Sequence, residues 1–92
     1  MSAAGRVYLD HNATTPVRAE VVDVMTRVLR EDFGNPSSVH ADGDAARDVI
    51  ATARAQVATL LGVDPDHVMF TGGATEANNT ALCGLLAGLE TP

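Results

Sequence analysis

The sequence predicts an α/β chain with three helices and an incomplete sheet, which forms the opening of a larger domain. Three segments carry apolar residues at helical spacing, and two short β-prone runs are bounded by polar or glycine-rich turns. A buried strand needs hydrogen-bonded neighbours on both sides, so two short strands do not complete a sheet. The same pattern also permits a three-helix bundle with a short hairpin as an alternative.

The first predicted element is a short strand, residues 6–10, which leads into a polar loop. Thr15 then suits the N-cap of a helix, with Pro16 at the first helical position, where its missing N–H costs nothing. This helix is expected to end near Asp32. Its apolar positions repeat at three- and four-residue spacing: Val17, Val21, Val24, Met25, Val28 and Leu29.

A turn-rich loop, residues 33–38, separates this helix from the second one. The second helix is expected to begin between His40 and Asp44 and to end at Gly62, which suits a left-handed C-terminal cap. Its apolar face is the strongest periodic signal in the chain: Ala46, Val49, Ile50, Ala53, Val57, Leu60 and Leu61.

The last two elements meet at a pair of glycines. Residues 68–71 form an apolar run typical of a strand buried on both faces, and Gly72 and Gly73 end it. From Thr75 the pattern becomes helical, with Glu76 favourably placed in the first turn. The apolar face of this third helix comprises Ala77, Ala81, Leu82, Leu85, Leu86 and Leu89.

Composition excludes several classes of partner. The chain has 92 residues, the size of one small domain, and 12 acidic against 6 basic residues give it a net charge of -6. This charge repels phosphate backbones and anionic lipid, so nucleic acid and membrane surfaces are not expected partners. The single cysteine, Cys83, cannot form an internal disulfide, and the first six residues resemble no signal peptide. The expected location is therefore cytoplasmic.

The glycine pair predicts a site for an anion. At a strand-to-helix turn, glycines let backbone N–H groups approach a ligand at the positive end of the helix, and the Thr75 hydroxyl could add a donor. The chain has no lysine for a phosphate loop of the Walker type and no third glycine for a dinucleotide fingerprint. Two interpretations of the glycine pair remain. It could bind the phosphate of another cofactor, or it could be an ordinary glycine-rich turn without a ligand.

Four ordered motifs resemble the cysteine desulfurases of the class V aminotransferase family, which use pyridoxal 5'-phosphate. They are YLDHNATTP at residues 8–16, GNPSSVH at residues 34–40 followed by Gly43, the long-helix pattern of residues 53–62, and FTGGATEANN at residues 70–79. The resemblance covers the chain from Val7 to about Leu82. The ANN ending of the last motif is more similar to the NifS and IscS group than to the SufS-like selenocysteine lyase group.

The resemblance implies a fold and a domain division. The chain would be the N-terminal portion of a pyridoxal-phosphate-dependent transferase of fold type I, the architecture of aspartate aminotransferase. Residues 1–14 would be an extended segment that joins the small domain, and residues 15–92 the partial start of the large cofactor-binding domain. The family's working unit is a homodimer.

The resemblance also implies site residues. Ala74 and Thr75 match the pair that binds the cofactor phosphate through backbone N–H groups and the threonine hydroxyl. Other positions match segments near the cofactor or the substrate pocket: Gly73, Asn12, Ala13, Thr14 and His40. The spacing of the three histidines in the sequence offers no close pair, so no metal site is expected.

No catalytic residue is expected in this chain. Pyridoxal chemistry needs a lysine amine, and the chain has none. The family's lysine, its aspartate, its ring-stacking histidine and its persulfide-forming cysteine are expected beyond the end of this sequence. Cys83 has no basic residue near it in the sequence, and we expect it to be a buried, inert thiol.

The activity implied by the resemblance is sulfur transfer from L-cysteine. The family converts L-cysteine to L-alanine plus an enzyme persulfide, and sulfur-acceptor proteins use that sulfur for iron–sulfur cluster or thio-cofactor assembly. Alone, this chain is expected to be inactive. Two alternatives stay open: another class V enzyme, such as a selenocysteine lyase or an aminotransferase, and a truncated, non-catalytic helical module that docks through its apolar faces.

Overall fold

A computed structural model of the protein describes residues 5–89. The start of the predicted domain 1–14 and the end of the predicted domain 15–92 therefore lie outside the described residues. The described elements are α1 (Ala19–Glu31), α2 (Ala41–Leu61), a short 3-10 helix (Pro65–His67) and α3 (Ala74–Gly88). The residues form two compact units, which divide between Ala46 and Arg47. The boundary expected after Thr14 stays a prediction.

The predicted incomplete sheet is wrong for the described part of the chain. Neither residues 6–10 nor residues 68–71 form a β-strand. Strand formation requires a neighbouring strand to accept and donate the backbone hydrogen bonds, and none forms within residues 5–89. The second run is not buried either, because Met69 is 63% exposed and Phe70 47% exposed. The three predicted helices, by contrast, all form.

The first helix begins later than predicted. Arg18 is the N-cap of α1 in extended conformation, and residues 14–18 are not helical. The expected cap residue is engaged elsewhere, since Oγ1 of Thr15 lies 2.9 Å from Nδ1 of His11. The predicted end is confirmed: the N–H of Asp32 donates to the carbonyl of Val28, and Arg27 pairs with the Asp32 carboxylate at 2.9 Å.

Two glycines allow the loop after α1 to lie against the first turn of α2. The N–H of Ser38 donates to the carbonyl of Asn35 at 2.9 Å, which closes the loop into a turn. A Cβ atom on Gly34 would overlap the backbone carbonyl of Asp42, and one on Gly43 would overlap the carbonyl of Ser38. The close approach of the two backbones therefore requires glycine at both positions.

The C-terminus of α2 is capped as predicted. Gly62 has a φ of 68°, in the left-handed region that glycine adopts without a steric penalty. Its N–H donates to the carbonyl of Thr59, and the N–H of Val63 donates to the carbonyl of Ala58. These two bonds are those of a Schellman motif, which satisfies carbonyls that the end of a helix leaves unpaired.

Little of the apolar surface is buried. Within residues 5–89, the buried apolar side chains are those of Ala46 and Ala58 of α2. Ala46 belongs to the predicted face of this helix, whereas Ala58 is not one of the predicted positions. The predicted faces of α1 and α3 are largely exposed, as the 56% exposure of Met25 and the 66% exposure of Leu86 illustrate. None of the helices in this part of the chain combines the length and apolar character needed to cross a bilayer.

We expect Gly34→Ala to lower the free energy of unfolding by roughly 1–3 kcal/mol, because the new methyl group overpacks against the backbone of α2. The measurement is the urea midpoint, followed by circular dichroism, of the complete gene product that contains these residues. Gly84→Ala is the matched control: a Cβ there meets nothing within 4 Å, so a helix-favouring gain of roughly 0.5–1 kcal/mol is expected. Equal midpoints for the two variants would contradict the close approach.

Candidate functional site

The segment that joins residues 68–70 to α3, which we call the glycine turn (residues 71–75), holds the predicted site. Gly73 is the N-cap of α3 in extended conformation, and the helix begins at Ala74, one residue before the predicted start. The hydroxyl of Thr71 donates to the carbonyl of Gly73 at 3.1 Å. The sequence prediction that the glycine pair leads directly into a helix is therefore confirmed.

Backbone donors at this helix start are free to bind a ligand. The first backbone hydrogen bond of α3 runs from the N–H of Ala77 to the carbonyl of Gly73, at 3.0 Å. The N–H groups of Ala74, Thr75 and Glu76 find no acceptor within residues 5–89. They lie at the positive end of the helix dipole, with the hydroxyl of Thr75 beside them in the sequence. This donor set suits an anion with several acceptor oxygens.

Glu76 binds another backbone donor of the turn. Its Oε2 accepts a hydrogen bond from the N–H of Gly72 at 2.8 Å. The arrangement resembles a capping box, in which an acidic residue at the third helical position reaches back to a backbone N–H before the helix. A carboxylate in the first turn also stabilises the helix through its dipole, typically by about 0.3–1 kcal/mol.

Arg54 of α2 contacts the segment that precedes the glycine turn. Its Nε donates to the carbonyl of Val68 at 3.1 Å, and its guanidinium carbon lies 5.5 Å from the ring centroid of Phe70. Sequence reasoning placed this arginine in the long-helix motif without a role. A signal was available, since Arg54 lies four residues after Ile50 and three before Val57, on the apolar face of its helix.

An open concavity of about 700 Å³ lies over the start of α3. It is lined by Gly72, Gly73, Ala74, Thr75, Glu76, Asn79 and Thr80. Three of the predicted site residues, Gly73, Ala74 and Thr75, thus share one surface with the free N–H groups. The surface has room for a group larger than a single ion.

The candidate residues of the opening loop lie in a hydrogen-bonded turn of the first unit. The N–H groups of Ala13 and Thr14 both donate to the carbonyl of Asp10, at 3.1 and 3.3 Å. The hydroxyl of Tyr8 lies 2.8 Å from the carbonyl of Thr14 and 3.0 Å from that of Asp10. These bonds fix the backbone on both sides of Asn12, whose place in a site stays a prediction.

His11 and His40 contact their own segments. The ring of His11 lies edge-on to Tyr8, with 4.8 Å between the ring centroids. Nδ1 of His40 accepts a long, 3.4 Å hydrogen bond from the N–H of Gly43, and its carbonyl accepts from Asp44, so His40 caps the start of α2. The residues of the opening loop and His40 lie in the first unit, and Gly73 to Thr75 in the second.

Two further expectations concern the burial of Cys83 and metal binding. Cys83 is exposed, so the prediction that its thiol is buried is wrong. It shares α3 with Leu82 and Leu86, whose side chains are also exposed, because no element within residues 5–89 covers them. No group of three histidine, cysteine or acidic residues in the described part of the chain is placed to hold a metal ion.

Comparison with known proteins identifies the relatives of this chain. The family model described as "Aminotransferase class-V" matches residues 7–91. A cysteine desulfurase from Frankia sp. (strain EuIK1) is 51% identical over 84 residues, which are 91% of this chain and 20% of the relative. The cysteine desulfurase IscS of Dictyoglomus turgidum is 47% identical over 85 residues, 92% of this chain and 22% of the relative.

Selenocysteine lyases match at comparable levels. That of Xenopus tropicalis is 51% identical over 77 residues, which are 84% of this chain and 18% of the relative. Overall identity therefore does not separate the two kinds of relative. The chain spans about a fifth of the length of the relatives it matches.

We expect Tyr8→Phe to loosen the opening loop, because the variant loses the hydroxyl that bonds the carbonyl of Thr14 while it keeps the ring against His11. One neutral hydrogen bond contributes about 0.5–1.5 kcal/mol, so the amides of Ala13 and Thr14 should exchange roughly 2- to 10-fold faster. Hydrogen exchange of the complete gene product measures this, with the amides of α3 as the internal control. Unchanged exchange at Ala13 would show that the hydroxyl does not hold the loop.

Proposed function

Because the chain belongs to the class V aminotransferase family, we propose that it supplies the phosphate-binding part of a fold type I enzyme that uses pyridoxal 5'-phosphate. The observation that carries the proposal is the set of unpaired N–H groups at Ala74 and Thr75, directly after the glycine turn. A phosphate ester is a dianion with several acceptor oxygens, and a helix start offers donors and a positive dipole together.

The residues at the start of α3 fit this group. We propose that the N–H groups of Ala74 and Thr75 and the hydroxyl of Thr75 bind the phosphate. Gly73 lies in front of them, and even a Cβ atom there would meet nothing within 4 Å, so the approach to the donors is open. When bound, pyridoxal phosphate supplies an electron sink that stabilises negative charge on the substrate carbon. The 92 residues contain no lysine to hold the cofactor, so we propose that the chain alone is inactive.

The reaction we propose for the complete protein is that of a cysteine desulfurase. The C–S bond of L-cysteine breaks, the sulfur is taken up by an enzyme thiol as a persulfide, and the substrate carbon gains a proton to give L-alanine. The relative from Frankia and the IscS relative support this choice by their names and identities. The opening loop with Asn12, Ala13 and Thr14, and His40 in the second motif, are proposed to lie near the substrate pocket.

The setting of this reaction follows from the same family. We propose a homodimer that passes sulfur to acceptor proteins for iron–sulfur cluster or thio-cofactor assembly. A cytoplasmic location is proposed because the single cysteine of these residues shows no adaptation to an oxidising compartment.

Selenocysteine lyase is the second candidate function. The relative from Xenopus tropicalis that carries this name is as similar to the chain, at 51% identity, as the desulfurase from Frankia. Both reactions remove a chalcogen from the same position of an amino acid and leave L-alanine. The phosphate-binding role of Ala74 and Thr75 is the same in either case.

The two candidates are separated by substrate. We expect the complete gene product, supplied with pyridoxal phosphate and a thiol reductant, to form L-alanine and sulfide from L-cysteine in equal amounts. L-Selenocysteine is the comparison substrate, and L-alanine is the common readout. If only L-selenocysteine were turned over, the complete protein would be a selenocysteine lyase and not a cysteine desulfurase. If neither substrate were turned over, both proposed functions would be refuted.

We expect Thr75→Ala to weaken the binding of pyridoxal phosphate by about 10-fold or more, because a hydrogen bond to a charged group contributes about 1.5–3 kcal/mol. Thr75→Ser is the matched control, since it keeps the hydroxyl and should stay close to the parent protein. Equilibrium dialysis of the complete gene product gives both dissociation constants. Equal affinities of the alanine and serine variants for pyridoxal phosphate would show that the Thr75 hydroxyl does not bind the phosphate.

A further inference from the structure

We infer that Arg54 and Glu76 are positioning residues that restrict the backbone before and within the glycine turn and so set the direction of its phosphate-binding N–H groups. The inference rests on the function proposed above, and it concerns two side chains that do not themselves need to touch the phosphate. Each belongs to a helix that flanks the turn: Arg54 to α2 and Glu76 to α3.

Arg54 holds the segment that precedes the glycine turn. Residues 68–70 have no neighbouring strand within the described chain, so their backbone groups depend on other partners. The Nε of Arg54 satisfies the carbonyl of Val68, and its guanidinium lies over the ring of Phe70. The planar guanidinium makes both contacts at once, which fixes the segment in position and in orientation.

Glu76 holds Gly72 within the turn. Its carboxylate takes the N–H of Gly72, the residue before the N-cap, from the first turn of the same helix whose N–H groups are free. A Cβ atom on Gly72 would lie 3.1 Å from Oε2 of Glu76, tighter than an ordinary van der Waals contact. The absence of a side chain at Gly72 thus leaves room for the carboxylate to come close.

The need for two such contacts follows from the glycine pair. Two consecutive glycines have wide backbone freedom, and a phosphate that binds their neighbours must offset the entropy of ordering them. Contacts that restrict the turn before the ligand arrives reduce this cost and raise affinity without touching the ligand. Arg54 and Glu76 restrict it at Val68 and at Gly72, before and within the turn.

The charge of Glu76 has to be separated from its role as an acceptor. A carboxylate repels a phosphate, whereas its hydrogen bond to Gly72 orders the turn. Glu76→Gln keeps an oxygen that can accept the bond and removes the charge, while Glu76→Ala removes both. Arg54→Lys likewise keeps a cationic donor, while Arg54→Met keeps only an apolar side chain.

The test compares two probes that differ only in the phosphate. Pyridoxine 5'-phosphate and pyridoxine have no aldehyde, so neither forms a covalent bond with a lysine. Equilibrium dialysis of the complete gene product gives both affinities, and their ratio measures the contribution of the phosphate. We expect Glu76→Ala and Arg54→Met to lower this ratio by about 5-fold or more, and Glu76→Gln to stay within about 3-fold of the parent. Arg54→Lys keeps the cation and loses the planar guanidinium, so its ratio should fall between those of the parent and Arg54→Met.

A general structural role would lower both affinities together and leave the ratio unchanged, and that result would overturn the inference. The inference would also be overturned if Glu76→Gln lowered the affinity ratio as much as Glu76→Ala, because the oxygen that accepts the hydrogen bond from Gly72 would then make no difference. A parent protein that binds both probes equally would instead refute the proposed phosphate site itself. Circular dichroism melting of each variant confirms that the compared proteins are folded.

Discussion

The free N–H groups at the start of α3 are the constraint on which the site depends. A helix cannot satisfy its own first donors, so the chain must supply acceptors, leave the donors to water or bind a ligand. Here the chain supplies one acceptor, the carboxylate of Glu76, and directs it to Gly72 and not to the helix itself. The N–H groups of Ala74 and Thr75 have no acceptor within residues 5–89, and the glycine turn keeps the approach to them open.

Local sequence signals were sufficient to predict the helices. Periodic apolar residues located all three, and Gly62 marked the end of α2 because only a residue tolerant of positive φ suits that position. The predicted start of α1 was wrong because the side chain expected to cap it has another partner. The hydroxyl of Thr15 bonds the ring of His11 and is not available to cap a helix.

The strands could not be predicted in the same way, because a strand is defined by its partner. Residues 68–71 have the composition of a buried strand, yet composition does not provide the adjacent backbone that completes a ladder. The role of Arg54 was hidden for a related reason. Its place on the apolar face of α2 is a local signal, but its partners Val68 and Phe70 lie 14 and 16 positions away, and a local pattern does not identify them.

The motifs that carry the family resemblance coincide with the positions where the backbone is most constrained. Gly34 and Gly43 are required by a close approach of two backbones, and Gly62 by a left-handed cap. Each constraint acts within a few residues, so it persists even where the apolar faces of the helices remain uncovered. Because the free N–H groups of Ala74 and Thr75 likewise depend only on the local start of α3, the proposed phosphate site can be recognised from a short segment of the family's sequence.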